Sequence, residues 1–187
     1  MKKYFLIFLI FFNNESVEAS IKENIIENLK KTNNLSFSFE QNINEKREKG
    51  TCTIEYPKKM FCKYNSENNK ILVSNGRYLV IKTNKSHYIY PIKKTALNYI
   101  LDKDYLLEKI NIAELKNIND QFINFRIIQD DNEIDLFFNK NSHNLVGWQS
   151  LDIYQNVSVT YISEIIRNQK LKNGLFTLPK QNWPRVK

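Results

Sequence analysis

The stretch Leu35-Ser36-Phe37-Ser38-Phe39-Glu40-Gln41 decides the fold, because the chain changes its hydrophobic period there. Upstream, Ile21, Ile25, Ile26 and Leu29 recur at helical spacing among Lys and Glu, which predicts an amphipathic helix over 21–32. Ser20 and Glu23 have capping-box spacing at its start. From Leu35 the period is two: Leu35, Phe37, Phe39 and Ile43 alternate with Ser36, Ser38, Glu40 and Asn42, the pattern of a strand with one buried face.

Further strands are predicted at 50–56, 60–64, 70–74, 78–82 and 87–90. Turn signals at Tyr56-Pro57-Lys58-Lys59, Asn75-Gly76 and Asn84-Lys85-Ser86 separate them. Asn75-Gly76 is the strongest of these, since both residues tolerate the positive φ of a type I′ turn. The run then breaks. Leu97, Ile100, Leu101, Tyr105 and Leu106 return to helical spacing, interrupted by Asp102-Lys103-Asp104, so 95–110 reads as one or two short helices. Strands resume at 121–129 and 132–138 around an Asp130-Asp131 turn, then at 145–150, 152–154, 157–163 and 175–178. Helix, strand meander, helical insertion and second meander predict an α+β fold, an antiparallel sheet curling around helices on its concave face.

Residues 1–19 carry an export signature. Lys2 and Lys3 precede the apolar run 4–12, and a polar stretch ends at Val17-Glu18-Ala19, a small-residue cleavage site. Nine apolar residues are too few to span a bilayer as a helix, which takes about 20. The expectation is a signal peptide over 1–19, one domain over 20–187, and a periplasmic location. Lys+Arg 28 against Asp+Glu 20 leaves a formal +8, but the basic residues are scattered, without the clustered patch of a nucleic-acid binder. Attraction to anionic membrane surfaces or acidic partners suits an exported chain better.

Catalytic apparatus is missing from the sequence. His87 and His143 lie far apart and have no Cys or His at metal-ligand spacing. There is no phosphate-binding glycine loop and no Gly-x-Ser-x-Gly elbow. Neither metal nor cofactor is expected, and the chain is read as a non-enzyme.

Several motifs, in order, resemble the LolA family of outer-membrane lipoprotein carriers. Phe39 and Gln41 match the end of its F-x-x-x-F-x-Q opening, with Leu35 in place of the first aromatic. Gly50, Ile54, Pro57, Met60, Cys62 and Tyr64 resemble its hairpin of glycine, strand, proline corner and return strand. Ile71-Leu-Val-Ser-Asn-Gly-Arg-Tyr-Leu79 is similar to I-L-V-S-D-G-x-x-L, and Thr95-Ala-Leu-Asn-Tyr-Ile-Leu101 to T-P-L-x-x-L-L with Ala96 for proline. Trp148-Gln149 to Asn156 and Phe176-x-x-Pro179 resemble the closing segments.

The resemblance implies an incomplete β-barrel covered by helices, with an acyl-chain cavity between them. Cargo would be lipoproteins, received from a LolCDE-type inner-membrane transporter and passed to an outer-membrane receptor by a monomeric carrier. Each buried methylene gains about 0.8 kcal/mol, so a chain of a dozen costs on the order of 10 kcal/mol to hold in water. Cavity residues on this reading are Leu35, Phe37, Phe39, Ile54, Tyr56, Met60, Tyr64, Ile71, Val73, Leu97, Ile100 and Leu101. The family ties its lid with a basic residue before the corner proline. Tyr56 holds that place here, so the latch falls to the Tyr56 hydroxyl or to Lys58, Lys59 or Arg47 as a substitute, none of which occupies that position, and closure is expected to be looser. A sensor of mislocalised lipoproteins with the same fold is the second reading, and a lipid-acting envelope enzyme the third.

Cys52 and Cys62 stand symmetrically about Pro57. If the hairpin pairs them directly, both point to one face at a separation that suits a disulfide, and an oxidising compartment favours the bond. The alternative is two buried thiols acting as small apolar residues.

Overall fold

The computed structural model describes residues 15–113, 115–118, 121–129 and 132–181. Helix α1 (Glu15–Lys30) starts earlier than the apolar spacing predicts and runs through Ala19-Ser20. Ser20 and Glu23 therefore sit inside the helix rather than capping it. Residues 1–14 of the expected leader lie outside the described residues. Ile25 and Leu29 of α1 are buried in the core, with Ile21 and Ile26 packed beside them.

The first meander is β1 (Asn34–Ile43), β2 (Lys46–Glu55), β3 (Lys59–Tyr64), β4 (Ile71–Asn75), β5 (Tyr78–Lys82) and β6 (His87–Pro91). A 3₁₀ turn at Ile92–Lys94 leads into α2 (Leu97–Ile100) and α3 (Lys103–Ile112). Asp102 separates these two helices because its carboxylate caps α3, accepting the Tyr105 backbone N–H at 3.2 Å. The second meander is β7 (Leu115–Ile118), β8 (Phe122–Gln129), β9 (Asn132–Asn139), β10 (Leu145–Leu151) and β11 (Val157–Arg167).

The eleven strands form one antiparallel sheet in the order β6-β5-β4-β3-β2-β1-β11-β10-β9-β8-β7. β1 pairs with both β2 and β11, fusing the two meanders through their first and last strands. A twisted sheet of more than about ten strands has to curl or split. This one curls over the helices and stays open, with β6 and β7 as its edges, an incomplete barrel. Phe125 and Phe138, stacked edge to face 6.0 Å apart, join Ile25, Leu106 and Ile110 in the core of the second half.

Three local expectations are corrected, and one strand, β7, is added. Of Asn75-Gly76, only Gly76 takes positive φ (94°). Asn75 ends β4, and its side-chain oxygen accepts from the N–H groups of Arg77 and Tyr78, both at 3.0 Å. Residues 152–154 form a turn, because Asp152 accepts from the N–H groups of Tyr154 (2.8 Å) and Asn156 (2.9 Å) and so competes with strand pairing. β7 carries no alternation that would have disclosed it. Residues 175–178 are not a strand, and the Asp130-Asp131 turn lies outside the described residues.

The segment after β11 crosses the outer face of the sheet as a belt. Asn168 accepts the Asn33 N–H at 2.7 Å, and Gln169 pairs with Asn34. Residues 171–177 then pass Glu55, Lys59 and Asn75. At the far side the Pro179 carbonyl meets His87 Nε2 (2.9 Å) and the Lys180 carbonyl accepts from Lys82 Nζ (3.0 Å). This belt covers the side of β4 and β5 that faces away from the helices.

Candidate functional site

Cross-strand register determines which side chains face the helices. Phe37, Cys52, Cys62, Leu72 and Ile81 are successive partners from β1 to β5 and share one face. The neighbouring row on that face is Leu35, Ile54, Met60, Ser74 and Leu79, and on the other side come Phe39, Gly50 and Tyr64. Gly50 has to lack a side chain. A Cβ there would lie 2.2 Å from the Lys63 carbonyl oxygen and 2.8 Å from the Phe39 ring. The bare backbone lets Phe39 pack edge to face on Tyr64, with centroids 4.9 Å apart.

Between these rows and α2 lies a cavity of about 190 Å³. Phe37, Phe39, Met60, Tyr64, Leu72, Leu79, Ile81 and Trp148 supply its apolar wall, and Thr95, Ala96 and Leu97 contribute from the helical side. Cys52 and Cys62 are joined as a disulfide across β2 and β3, and both line the cavity. One wall is polar. The Gln41 amide donates to Ser158 (2.9 Å) and Thr160 (3.1 Å), with Ser150 and Asp152 beside them. Lys70 sits 4.0 Å from the Tyr64 ring centroid and pairs with Glu48 at 2.6 Å. Burial pushes the Glu48 carboxyl up, but Lys70 and Lys46 outweigh it and hold the group below its usual value. The Tyr64 hydroxyl is pushed up by burial and by Glu48. Ile153 and Tyr154 of the β10–β11 turn border the cavity opposite β6. There burial, then contact with the Tyr154 hydroxyl, pushes Tyr90 up to about 12.

Of the residues expected in the cavity, Phe37, Phe39, Met60, Tyr64 and Leu97 border it. Leu35, Ile54, Ile100 and Leu101 face the same interior but pack into solid core with Ile25, Leu106 and Ile110. Ile71 and Val73 point the other way. Their one-residue neighbours Leu72 and Ser74 face inward, and Val73 is buried (1% exposed) on the outer side that the belt crosses. Leu72, Leu79, Ile81 and Trp148 are wall residues that sequence reasoning missed. Cys62 pairs with Leu72, so the register of the β3–β4 connection was the signal needed.

Of the latch candidates, only Lys58 makes polar contacts to the helices among the described residues. The Tyr56 hydroxyl is buried with no hydrogen-bond partner among the described residues, and burial raises its pKa. Arg47 sits at the opposite end of β2 and pairs with Glu40. The tie to the helices comes from Lys58. Its backbone N–H donates to the Leu101 carbonyl at 2.7 Å, and its Nζ meets Asp102 at 2.9 Å. Its own carbonyl accepts from Ser74 Oγ at 2.6 Å. Lys103 adds a contact to the Thr32 carbonyl at 3.2 Å, joining α3 to the end of α1.

His87 serves the belt and His143 occupies the β9–β10 turn with φ 55°. Among the described residues, no three His, Cys, Asp or Glu side chains gather as a metal site. No helix among them is long and apolar enough to cross a membrane. What the cavity offers chemically is a mainly apolar lining with polar groups along one side.

The family model described as outer membrane lipoprotein carrier protein LolA matches residues 30–179. No curated protein matches the chain by sequence. Solved structures are similar to it at low identity. A LolA superfamily protein from Nitrosomonas europaea is 10% identical, with TM-score 0.46 over 85% of this chain and 96% of that one. MucB in the MucA/MucB complex of Pseudomonas aeruginosa is 8% identical, with TM-score 0.50 over 87% of this chain and 61% of that one. The Mycobacterium tuberculosis lipoprotein LppX is 11% identical, with TM-score 0.46 over 85% and 99%.

Proposed function

The chain belongs to the LolA family of outer membrane lipoprotein carrier proteins, and from that premise we propose that it is a periplasmic carrier sheltering the acyl chains of lipoproteins. Donor and acceptor in this reading are a LolCDE-type inner-membrane transporter and an outer-membrane receptor. The observation that carries it is the apolar cavity between the concave sheet and α2, roofed by a helix of a single turn. A volume of about 190 Å³ falls below the roughly 300–1,000 Å³ of ordinary small-molecule pockets. An acylated cargo therefore needs α2 and α3 to move outward.

Purification from a periplasmic extract followed by mass spectrometry of bound lipids and lipoproteins tests this. The expected result is co-purified acylated cargo, and uptake of a fluorescent acylated lipopeptide by the emptied protein. Free protein alone, together with no uptake, would overturn the reading.

Lys58 is the residue that sets how readily the roof lifts. Lys58→Met keeps the backbone bond to Leu101 and removes the ion pair to Asp102, in which both side chains are partly exposed. Such a pair contributes about 0.5–1 kcal/mol, so uptake of an apolar dye is expected to quicken roughly two- to five-fold. Tyr56→Arg is expected to change uptake less than Lys58→Met. Stopped-flow fluorescence compares the two, and the reverse ranking would return the latch to Tyr56.

A further inference from the structure

The carrier reading leaves open how cargo meets a membrane, and an unused part of the surface bears on it. Between Glu67 and Asp102 the chain has no acidic residue, but it has Lys70, Arg77, Lys82, Lys85, Lys93 and Lys94. This stretch builds β4 to β6, the 3₁₀ turn and α2, which is one open edge of the sheet together with the wall and roof of the cavity. Lys70 is held by Glu48 and Lys82 by the belt. Arg77, Lys85, Lys93 and Lys94 are exposed and have no carboxylate partner among the described residues.

Their placement is linear. Lys85 lies in the turn before β6, and Lys93 and Lys94 follow β6 directly, while Arg77 joins them because its carbonyl accepts the Ile92 N–H. β6 spans roughly 17 Å at about 3.4 Å per residue. Between the two basic ends it exposes Tyr88 (50%) and Ile89 (55%), one on each face of the strand. Tyr88 stacks on Tyr90, which packs against the core beside the cavity.

We propose that this β6 edge docks the protein on an anionic phospholipid surface, with Tyr88 and Ile89 at headgroup depth and Arg77, Lys85, Lys93 and Lys94 on the lipid phosphates. Tyrosine favours the membrane–water interface, where its ring is shielded and its hydroxyl stays wet. A lysine or arginine near an anionic bilayer contributes a long-range attraction that needs no shaped pocket. The unpaired backbone of β6 cannot enter hydrocarbon, which limits the contact to the interface. This rests on the carrier reading for its purpose: a carrier held against the bilayer shortens the path of an acyl chain through water. It does not rest on that reading for its test.

Full-length mature protein is mixed with phosphatidylglycerol–phosphatidylcholine vesicles or with pure phosphatidylcholine vesicles, and binding is read by co-sedimentation. Stronger binding to the anionic vesicles, weakening as salt rises, is expected. Lys93→Gln/Lys94→Gln should weaken it about 25-fold, or about five-fold per lysine. Lys30→Gln/Lys140→Gln, exposed positions on α1 and the β9–β10 turn, should leave it unchanged. Tyr88→Ser should remove the component that survives high salt. Equal binding to both vesicle types overturns the proposal, and so does equal loss in the two double variants. Binding only to vesicles containing membrane proteins also overturns it, in favour of an acidic protein partner. Lipopeptide loading measured on the same samples keeps the two ideas apart. Loss of loading with vesicle binding intact would sink the carrier reading alone.

Discussion

Removing the Cys52–Cys62 bond is expected to lower stability by about 2–3 kcal/mol, since the bond closes a loop of ten residues that the unfolded chain otherwise leaves free. For a domain of this size each kcal/mol shifts Tm by roughly 2–4 °C, so Cys52→Ala/Cys62→Ala should melt about 5–10 °C lower than the wild type. Both residues are buried, at 5% and 1% exposure. Alkylation in denaturant should label no thiol before reduction and two after it, which intact mass checks directly. The hairpin itself should persist, because its cross-strand register and the tie between Lys58 and Leu101 do not involve sulfur. A double variant that melts with the wild type would show that the loop is already closed in the unfolded ensemble. The cavity floor would then need no covalent brace.

The architecture was legible where side-chain period and turn chemistry agreed. Leu35 to Ile43 alternates cleanly, and β1 runs through it. The Pro57 corner placed Cys52 opposite Cys62 because the two lie symmetrically about it, and the register pairs them directly. Agreement failed where a short polar side chain offers the backbone another partner. Asp152 reads as strand by its neighbours, yet it accepts two backbone N–H groups and makes a turn. The segment 175–178 has the composition of a strand but runs as part of the outer belt, a placement set by distant contacts at His87 and Lys82.

The site was less legible, for a reason of parity. Ile71-Leu72-Val73 is apolar at every position, so period two cannot say which alternate residues face the helices. A one-residue choice moves the whole set to the other face. The choice of Ile71 and Val73 fell on the outer face, where the belt supplies a second apolar layer that local sequence does not announce. The latch was legible only as a choice among the Tyr56 hydroxyl, Lys58, Lys59 and Arg47. Lys58 follows the proline with φ 64°, a left-handed conformation no lysine advertises, and its N–H donates to the Leu101 carbonyl.

A carboxylate placed in the roof of the cavity is expected to abolish most apolar binding while leaving the fold intact. Leu97 is suited to this because it is half-buried, lines the cavity and sits on a helix of one turn, whereas Ile100 on the same helix is sealed in the core. Leu97→Glu should cost no more than about 1.5 kcal/mol of stability, the transfer value of a partly buried leucine. Its carboxylate carries bound water, which an acyl chain would have to displace. Stripping that water costs at least about 1.4–3 kcal/mol, so affinity for an apolar dye or acylated lipopeptide should fall about 10- to 100-fold. Leu97→Met, which preserves volume and polarity, should bind as the wild type does. Fluorescence titration alongside a thermal melt separates the outcomes. A folded Leu97→Glu protein with unchanged affinity would place the acyl chains elsewhere than under α2, and with them the purpose of the roof.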